Sequence, residues 1–227
     1  MSPSSTKKSA PATRDAEATK GRILDAAEDE FARGGLLGAR TEAIAAKTGV
    51  TKSMIFYHFG DKEGLYQAVL ERAVSMRVAT LQKTDLHNAN VEVSLRNFVD
   101  SFLRDLSGNP NLPAIFFYEG IQNKGKFYSQ IAITSLYAPL VDILKRGSES
   151  GQFRDVDPLH SAVNIIGMCV FYYCSIDNVK HLWPPGTNPL SAEMIEMHRR
   201  MAVEQTVASV LAPCPKSIEV DTETESK

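Results

Sequence analysis

Apolar residues recur at three- and four-residue intervals through most of this chain, the period of helices with one buried side. Leu65, Ala68, Val69, Ala73 and Met76 mark one such helix, which starts near Asp61 or Lys62 and runs towards Lys83. A break follows at Asp85–Asn90. Val91, Leu95, Phe98, Val99, Phe102 and Leu103 then mark a helix over 91–106, ended by Gly108, Asn109 and Pro110. The stretch 112–122 is apolar with Glu119 and Gln122 inserted, and NKGKFY reads as a loop. Residues 128–147 read as a long helix whose last residues include Lys145 and Arg146, cations suited to the negative helix end. Asp157 and Pro158 are an N-cap and a first helical residue. Ser191 caps a last helix, where Met194, Met197, Met201, Ala208 and Leu211 form a stripe suited to helix-on-helix packing. The pattern predicts an all-α chain of about nine helices, with no internal repeat.

The segment from Pro158 to Val179 stands apart, because Leu159, Ala162, Val163, Ile165, Ile166, Met168, Cys169, Val170 and Phe171 leave almost no polar face. A helix apolar all round must be covered on all sides. One side is expected to meet the core and the other a partner subunit; both ends are too polar for a membrane span.

Residues 41–63, TEAIAAKTGVTKSMIFYHFGDKE, carry the clearest local signal. Thr41 reads as an N-cap, and Ile44 and Ala45 give the following helix an apolar side. Gly49 falls where the helix must stop and the chain reverse, Val50 plugs the angle between helices, and Thr51 caps a second helix from Lys52. Cap, helix, glycine, apolar plug and cap at this spacing make a helix-turn-helix. The second helix of that motif enters the major groove of DNA with its N-terminal residues near base edges. Here those are Lys52, Ser53 and Met54, with Tyr57, His58 and Lys62 along the groove wall, where they can meet phosphate oxygens. The plainer reading makes Phe56 and Phe59 core residues and the polar positions a solvated face.

From Thr19 to about Ala73 the chain resembles the TetR/AcrR family of bacterial transcriptional regulators. The matching positions are Ile23, Ala27, Phe31, Gly35, Gly38, Thr41, Ile44, Ala45, Gly49, Val50, Thr51, Tyr57, His58, Phe59, Lys62, Glu63 and Leu65. Two positions depart: Phe56 stands where the family usually has tyrosine, and Ser53 where glycine is frequent. The resemblance implies a three-helix DNA-binding head over 19–66 and a helical ligand-binding and dimerisation body over 67–211. It implies DNA contacts from Arg40, Thr41, Thr51, Lys52, Ser53, Met54, Phe56, Tyr57, His58 and Lys62. GQFRDVDPLHSA, leading into the apolar helix, looks more loosely like a body of this family, in which the last two helices pair with their symmetry mates. That pairing would use Val163 and Val170 together with Met194, Met197, Met201, Ala208 and Leu211.

Composition changes this picture little. The 227 residues fit one large domain or two small ones, and 43% apolar residues allow a sizeable core. Residues 1–18, rich in Ser, Thr, Ala and Lys, are expected to be a disordered arm rather than a secretory signal, and 212–227 a flexible acidic tail. The net charge of −2 argues mildly against nucleic acid, but Arg40, Lys47, Lys52 and Lys62 gather around the expected DNA face. Cys169, Cys174 and Cys214 form no disulfide framework or metal set, and read as free thiols in a cytoplasmic protein. There is no zinc-protease HExxH, phosphate-binding glycine loop or GxSxG motif, so neither catalysis nor a cofactor or metal is expected.

The body is rich in aromatics, with Phe98, Phe102, Phe116, Phe117, Phe171 and Tyr172, together with Met168, near the polar residues Glu119 and Asn164. Either this is an aromatic core, or it is an apolar pocket with polar anchors for a small-molecule effector. A buried Glu119 would favour a cationic or hydrogen-bond-donating compound. The expected function is a repressor that binds a palindromic operator in double-stranded DNA as a homodimer and is released by such an effector. The alternatives are a helical dimeric adaptor without inducer and, more remotely, a small helical enzyme.

Overall fold

A computed structural model describes residues 11–129, 131 and 133–212, and among these nine α-helices follow in chain order. The first, α1 (Pro11–Gly38), begins inside the segment expected to be a disordered arm. Proline suits a first helical position, and the Ala, Arg, Glu and Lys residues that follow are good helix formers. Residues 1–10 and most of the expected acidic tail, 213–227, lie outside the described residues, as does Cys214. Near its C-terminal end α1 breaks at Gly35, whose φ of 64° and ψ of −166° are open essentially to glycine alone.

The helix-turn-helix comprises α2 (Thr41–Thr48) and α3 (Lys52–Phe59). Gly49 takes the left-handed conformation between them, with φ 71°. Thr51 Oγ1 caps α3 by accepting from Met54 N at 3.2 Å. The first cap differs from expectation: Arg40 is the extended N-cap residue, and Thr41 is a buried helical residue whose hydroxyl lies 3.4 Å from a Glu42 carboxylate oxygen. The long connecting helix α4 (Lys62–Leu81) starts where the spacing predicts, with Asp61 accepting from Gly64 N at 2.8 Å.

The body is built from α5 (Val91–Gly108), α6 (Asn111–Asn123), α7 (Thr134–Glu149), α8 (Pro158–Val179) and α9 (Ala192–Val210). Asn90, Asp157 and Ser191 cap α5, α8 and α9 through side-chain oxygens. The seventh helix begins six residues later than the periodicity predicts. Glu119 Oε1 accepts from Phe127 N at 2.8 Å, and Phe127 and Ile131 are drawn into the core as a turn rather than as helix.

Two apolar cores result. The head core joins Ile23, Phe31, Ile44, Ile55, Leu65 and Tyr66 to Ile115, Phe127 and Leu136 of the body, so head and body share packing across the expected boundary at residue 66. The body core gathers Leu95, Phe98, Leu103, Ile143, Ile165, Cys169, Val203 and Val207. By length and apolar content alone Pro158–Leu182 would qualify to cross a membrane. Its packing accounts for the composition differently. Ala162, Ile165, Ile166, Cys169 and Ile176 are buried, while Leu159, Val163 and Phe171 stand 59%, 53% and 62% exposed. Only one side is therefore covered within the chain.

Candidate nucleic-acid interface and body cavity

Ile55 anchors α3 in the head core with no exposure, and Val50, Phe56 and Phe59 pack partly against the same core. Phe56 thus spends part of its surface inward, in line with the plainer reading of it as a core residue, whereas the resemblance implied a DNA contact there. The opposite side of α3 presents Lys52, Ser53, Met54 and Tyr57, with Tyr57 85% exposed. His58 is half-buried, its ring edge-on to Tyr57 at 5.3 Å between centroids. Tyr57 is therefore the most prominent side chain of a small polar and aromatic ridge.

The cations around this ridge are not all free. Lys52 pairs with Glu42 across the turn, and that hydrogen bond holds the Glu42 carboxyl below the usual range. Lys47 pairs with Asp29 of α1 and lowers that carboxyl in the same way. Lys62 Nζ donates to the Leu37 carbonyl at 3.3 Å, tying the start of α4 to the end of α1. Arg40 is exposed, and its backbone N–H donates to Glu30 Oε1 at 3.2 Å. These are solvent-facing pairs of the kind that exchange partners readily. Thr41 is 6% exposed, with its hydroxyl beside the Glu42 carboxylate.

A cavity of about 460 Å³ lies in the body between α5, α6, α7 and α8. Phe102 comes from α5, Phe116 and Phe117 from α6, and Tyr128 and Ile133 from the turn before α7. Leu136 and Tyr137 of α7, and Val163, Ile166, Gly167 and Val170 of α8, complete the wall. Three expected ligand residues, Phe102, Phe116 and Phe117, are brought together here. Phe98 is fully buried beside Phe102, with stacked rings 6.1 Å apart, and belongs to the core instead. Glu119 is fully buried, but its carboxylate accepts from Phe127 N and from Asn123 Nδ2 at 2.6 Å, so it is a structural clamp. Asn164 and Phe171 face outwards, and Met168 packs on the body core. Tyr172 stacks on His198 of α9 at 3.9 Å and donates to the Pro189 carbonyl at 2.7 Å, away from the cavity.

The cavity wall on α8 was legible in part. Val163, Ile166, Gly167 and Val170 fall on one helical face, but sequence assigned Val163 and Val170 to a subunit contact and gave Gly167 no role. Tyr137 carried no motif. Of the expected subunit-contact residues, Val163, Met197, Met201 and Ala208 are exposed and Met194 is half-buried. Leu211 departs: the helix ends at Val210, and Leu211 forms a bridge with Phe153 and packs on the body's own core. Both described cysteines are free thiols; burial pushes Cys169 up to about 12 and Cys174 up to about 11. Among the described residues no group of three or more His, Cys, Asp or Glu could hold a metal ion.

A helix-turn-helix head fused through one long helix to an all-helical body with a central cavity defines a class of one-chain transcriptional regulators. Residues 23–69 match the family model described as bacterial regulatory proteins, tetR family, and residues 92–206 match that of the tetracyclin repressor-like C-terminal domain. The chain is similar to the HTH-type transcriptional repressor SCO4008 of Streptomyces coelicolor, with 32% identity over 65% of this chain and 73% of that protein. It is also similar to the HTH-type transcriptional repressor NicS of Pseudomonas putida, with 28% identity over 74% of this chain and 81% of that one. The ketosteroid transcriptional regulator KstR2 of Mycobacterium tuberculosis has the same fold, with a TM-score of 0.67 and 18% identity over 86% of this chain and 95% of that one. The chain belongs to the TetR family of DNA-binding transcriptional repressors.

Proposed function

We propose that this repressor works in the cytoplasm as a homodimer on a palindromic operator, and that a small molecule entering the body cavity releases it. The observation that carries the effector reading is the position of Phe102. One part of its ring lines the cavity, and the Arg77 guanidinium of α4 lies 5.0 Å from its centroid. Arg77 is 3% exposed and pairs with Asp105 at 3.4 Å, so it is packed tightly enough to feel a displacement of that ring. A ligand against Phe102 therefore acts on the helix that leads directly to the recognition helix. Two heads fit successive major grooves only at one separation, so a small tilt of α4 is enough to disengage them. The exposed apolar side chains Phe171, Met197 and Met201 on α8 and α9 support assembly with a second copy.

Selection of bound sequences from a random DNA pool, followed by footprinting, tests the DNA half of this reading. The expected site is two-fold symmetric, with half-site centres roughly 34–36 Å apart, and is protected by a dimer. Lys52→Ala is expected to relax the selected sequence, because that ammonium stands at the base-facing end of α3. Recovery of a single asymmetric half-site bound by a monomer would overturn the dimeric reading.

A further inference from the structure

The walls of the body cavity restrict what can enter it. Their side chains are aromatic, aliphatic or glycine, and none carries a charge. The charged groups nearby are already committed. Glu119 is held by Phe127 N and Asn123, and Arg77 stands behind Phe102 outside the wall, paired with Asp105 through Nε while its buried Nη1 has no partner among the described residues. An ion entering this space would give up its hydration and find no counter-charge.

Two wall residues carry hydroxyls. That of Tyr128 donates to the Phe116 carbonyl at 3.2 Å. The hydroxyl of Tyr137 makes no hydrogen bond with any described residue, although the residue is half-buried between the two cores. Burial also pushes this phenol up from its ordinary value, which keeps it a neutral donor and acceptor. Among the described residues it is thus the uncommitted side-chain polar group of an otherwise apolar wall. Phe102, Phe116 and Phe117 supply ring faces and edges around it, suited to stacked or edge-on contact with a flat guest. A volume of about 460 Å³ lies within the range of small-molecule sites.

We propose that the cavity selects an uncharged, predominantly apolar ring compound that exchanges one hydrogen bond with Tyr137 Oη. This rests on the reading of the cavity as the effector site and names the chemistry of what fills it. It also replaces the cationic preference that a free Glu119 would have given.

The test uses the full chain and four probes on one skeleton: naphthalene, β-naphthol, β-naphthoate and protonated β-naphthylmethylamine. Affinities are read by calorimetry for the wild type, Tyr137→Phe and Gly167→Leu. A Cβ at Gly167 meets nothing within 4 Å, so a side chain can leave the backbone there without a clash and add bulk at the cavity wall. The expected result is that β-naphthol binds at least about tenfold tighter than either ion, a difference of about 1.4 kcal/mol. Tyr137→Phe should weaken β-naphthol about 2- to 10-fold, the worth of one hydrogen bond, and leave naphthalene unchanged. Tighter binding of either ion, sensitive to Gly167→Leu, would overturn the proposed chemistry while leaving the cavity as the site. Binding of all probes indifferent to Gly167→Leu would remove the cavity reading itself. Absence of binding by β-naphthol would overturn the proposal.

Discussion

Replacing Gly35 with alanine probes the joint between head and body. At φ 64° and ψ −166° an alanine is held in a region that costs about 1–3 kcal/mol. Its Cβ would also stand 2.2 Å from Gln122 Oε1. That amide is the clasp between α6 and the end of α1: Oε1 accepts from Leu37 N at 3.4 Å, and Nε2 donates to the Gly34 carbonyl at 3.2 Å. Gln122 can swing away from the new methyl group, but only by giving up both bonds, at about 0.5–1.5 kcal/mol each. The expected loss for Gly35→Ala is therefore about 2–6 kcal/mol. Gln122→Ala alone loses only the two bonds, about 1–3 kcal/mol. The double variant loses those bonds once rather than twice, so it should be more stable than the two single losses predict by about 1–3 kcal/mol. Urea unfolding at one fixed protein concentration measures all four chains, provided the slope with denaturant is unchanged. Additivity within about 0.5 kcal/mol would refute the clash-and-clasp account, and a neutral Gly35→Ala would refute the backbone argument as well.

Three further outcomes follow from single contacts. Glu42→Gln frees Lys52 and removes a negative charge beside α3, so operator affinity at low salt should rise several-fold; unchanged affinity in a salt titration would place Glu42 away from the DNA. Gly167→Leu replaces a glycine within α8 by a good helix former, and should raise stability by about 0.5–0.8 kcal/mol in thermal unfolding while abolishing any effect of cavity ligands on DNA binding. His198 lies against the rings of Tyr172 and Tyr173, and burial lowers its pKa. The unfolded chain then takes up a proton near pH 6.5 that the folded chain resists, so stability present above that pH is lost as pH falls below it. His198→Gln should flatten the fall in melting temperature between about pH 7.5 and 5.5, and an identical slope in both chains would contradict the assignment.

Much of the head was legible because its signals are local. Gly49 and Thr51 each act within three or four residues of themselves, so turn and cap can be read without a fold, and the start of α4 near Asp61 or Lys62 follows from spacing. Thr41 failed for the same reason turned around: Arg40 is already extended and Thr41 is already buried, and burial depends on packing that spacing does not encode. The late start of α7 is a tertiary effect, in which Glu119 takes the Phe127 amide and turns the chain into the core. The cavity was half legible. Its aromatics on α5 and α6 stood out by type, whereas Tyr137, Ile166 and Gly167 are ordinary residues until α7 and α8 are set face to face. Phe98, Phe171 and Tyr172 are equally aromatic, and only the direction each one faces separates them from Phe102.

The most direct test is operator affinity measured with and without a bound cavity ligand, at one salt concentration, for the wild type and Gly167→Leu. The account predicts that a compound binding the wild-type cavity weakens operator binding by a coupling of about 1–3 kcal/mol, and that DNA weakens the compound by the same factor. It also predicts that Gly167→Leu holds the operator whether or not the compound is present. Equal operator affinity with and without every compound that occupies the cavity would contradict the central claim that this space controls the head.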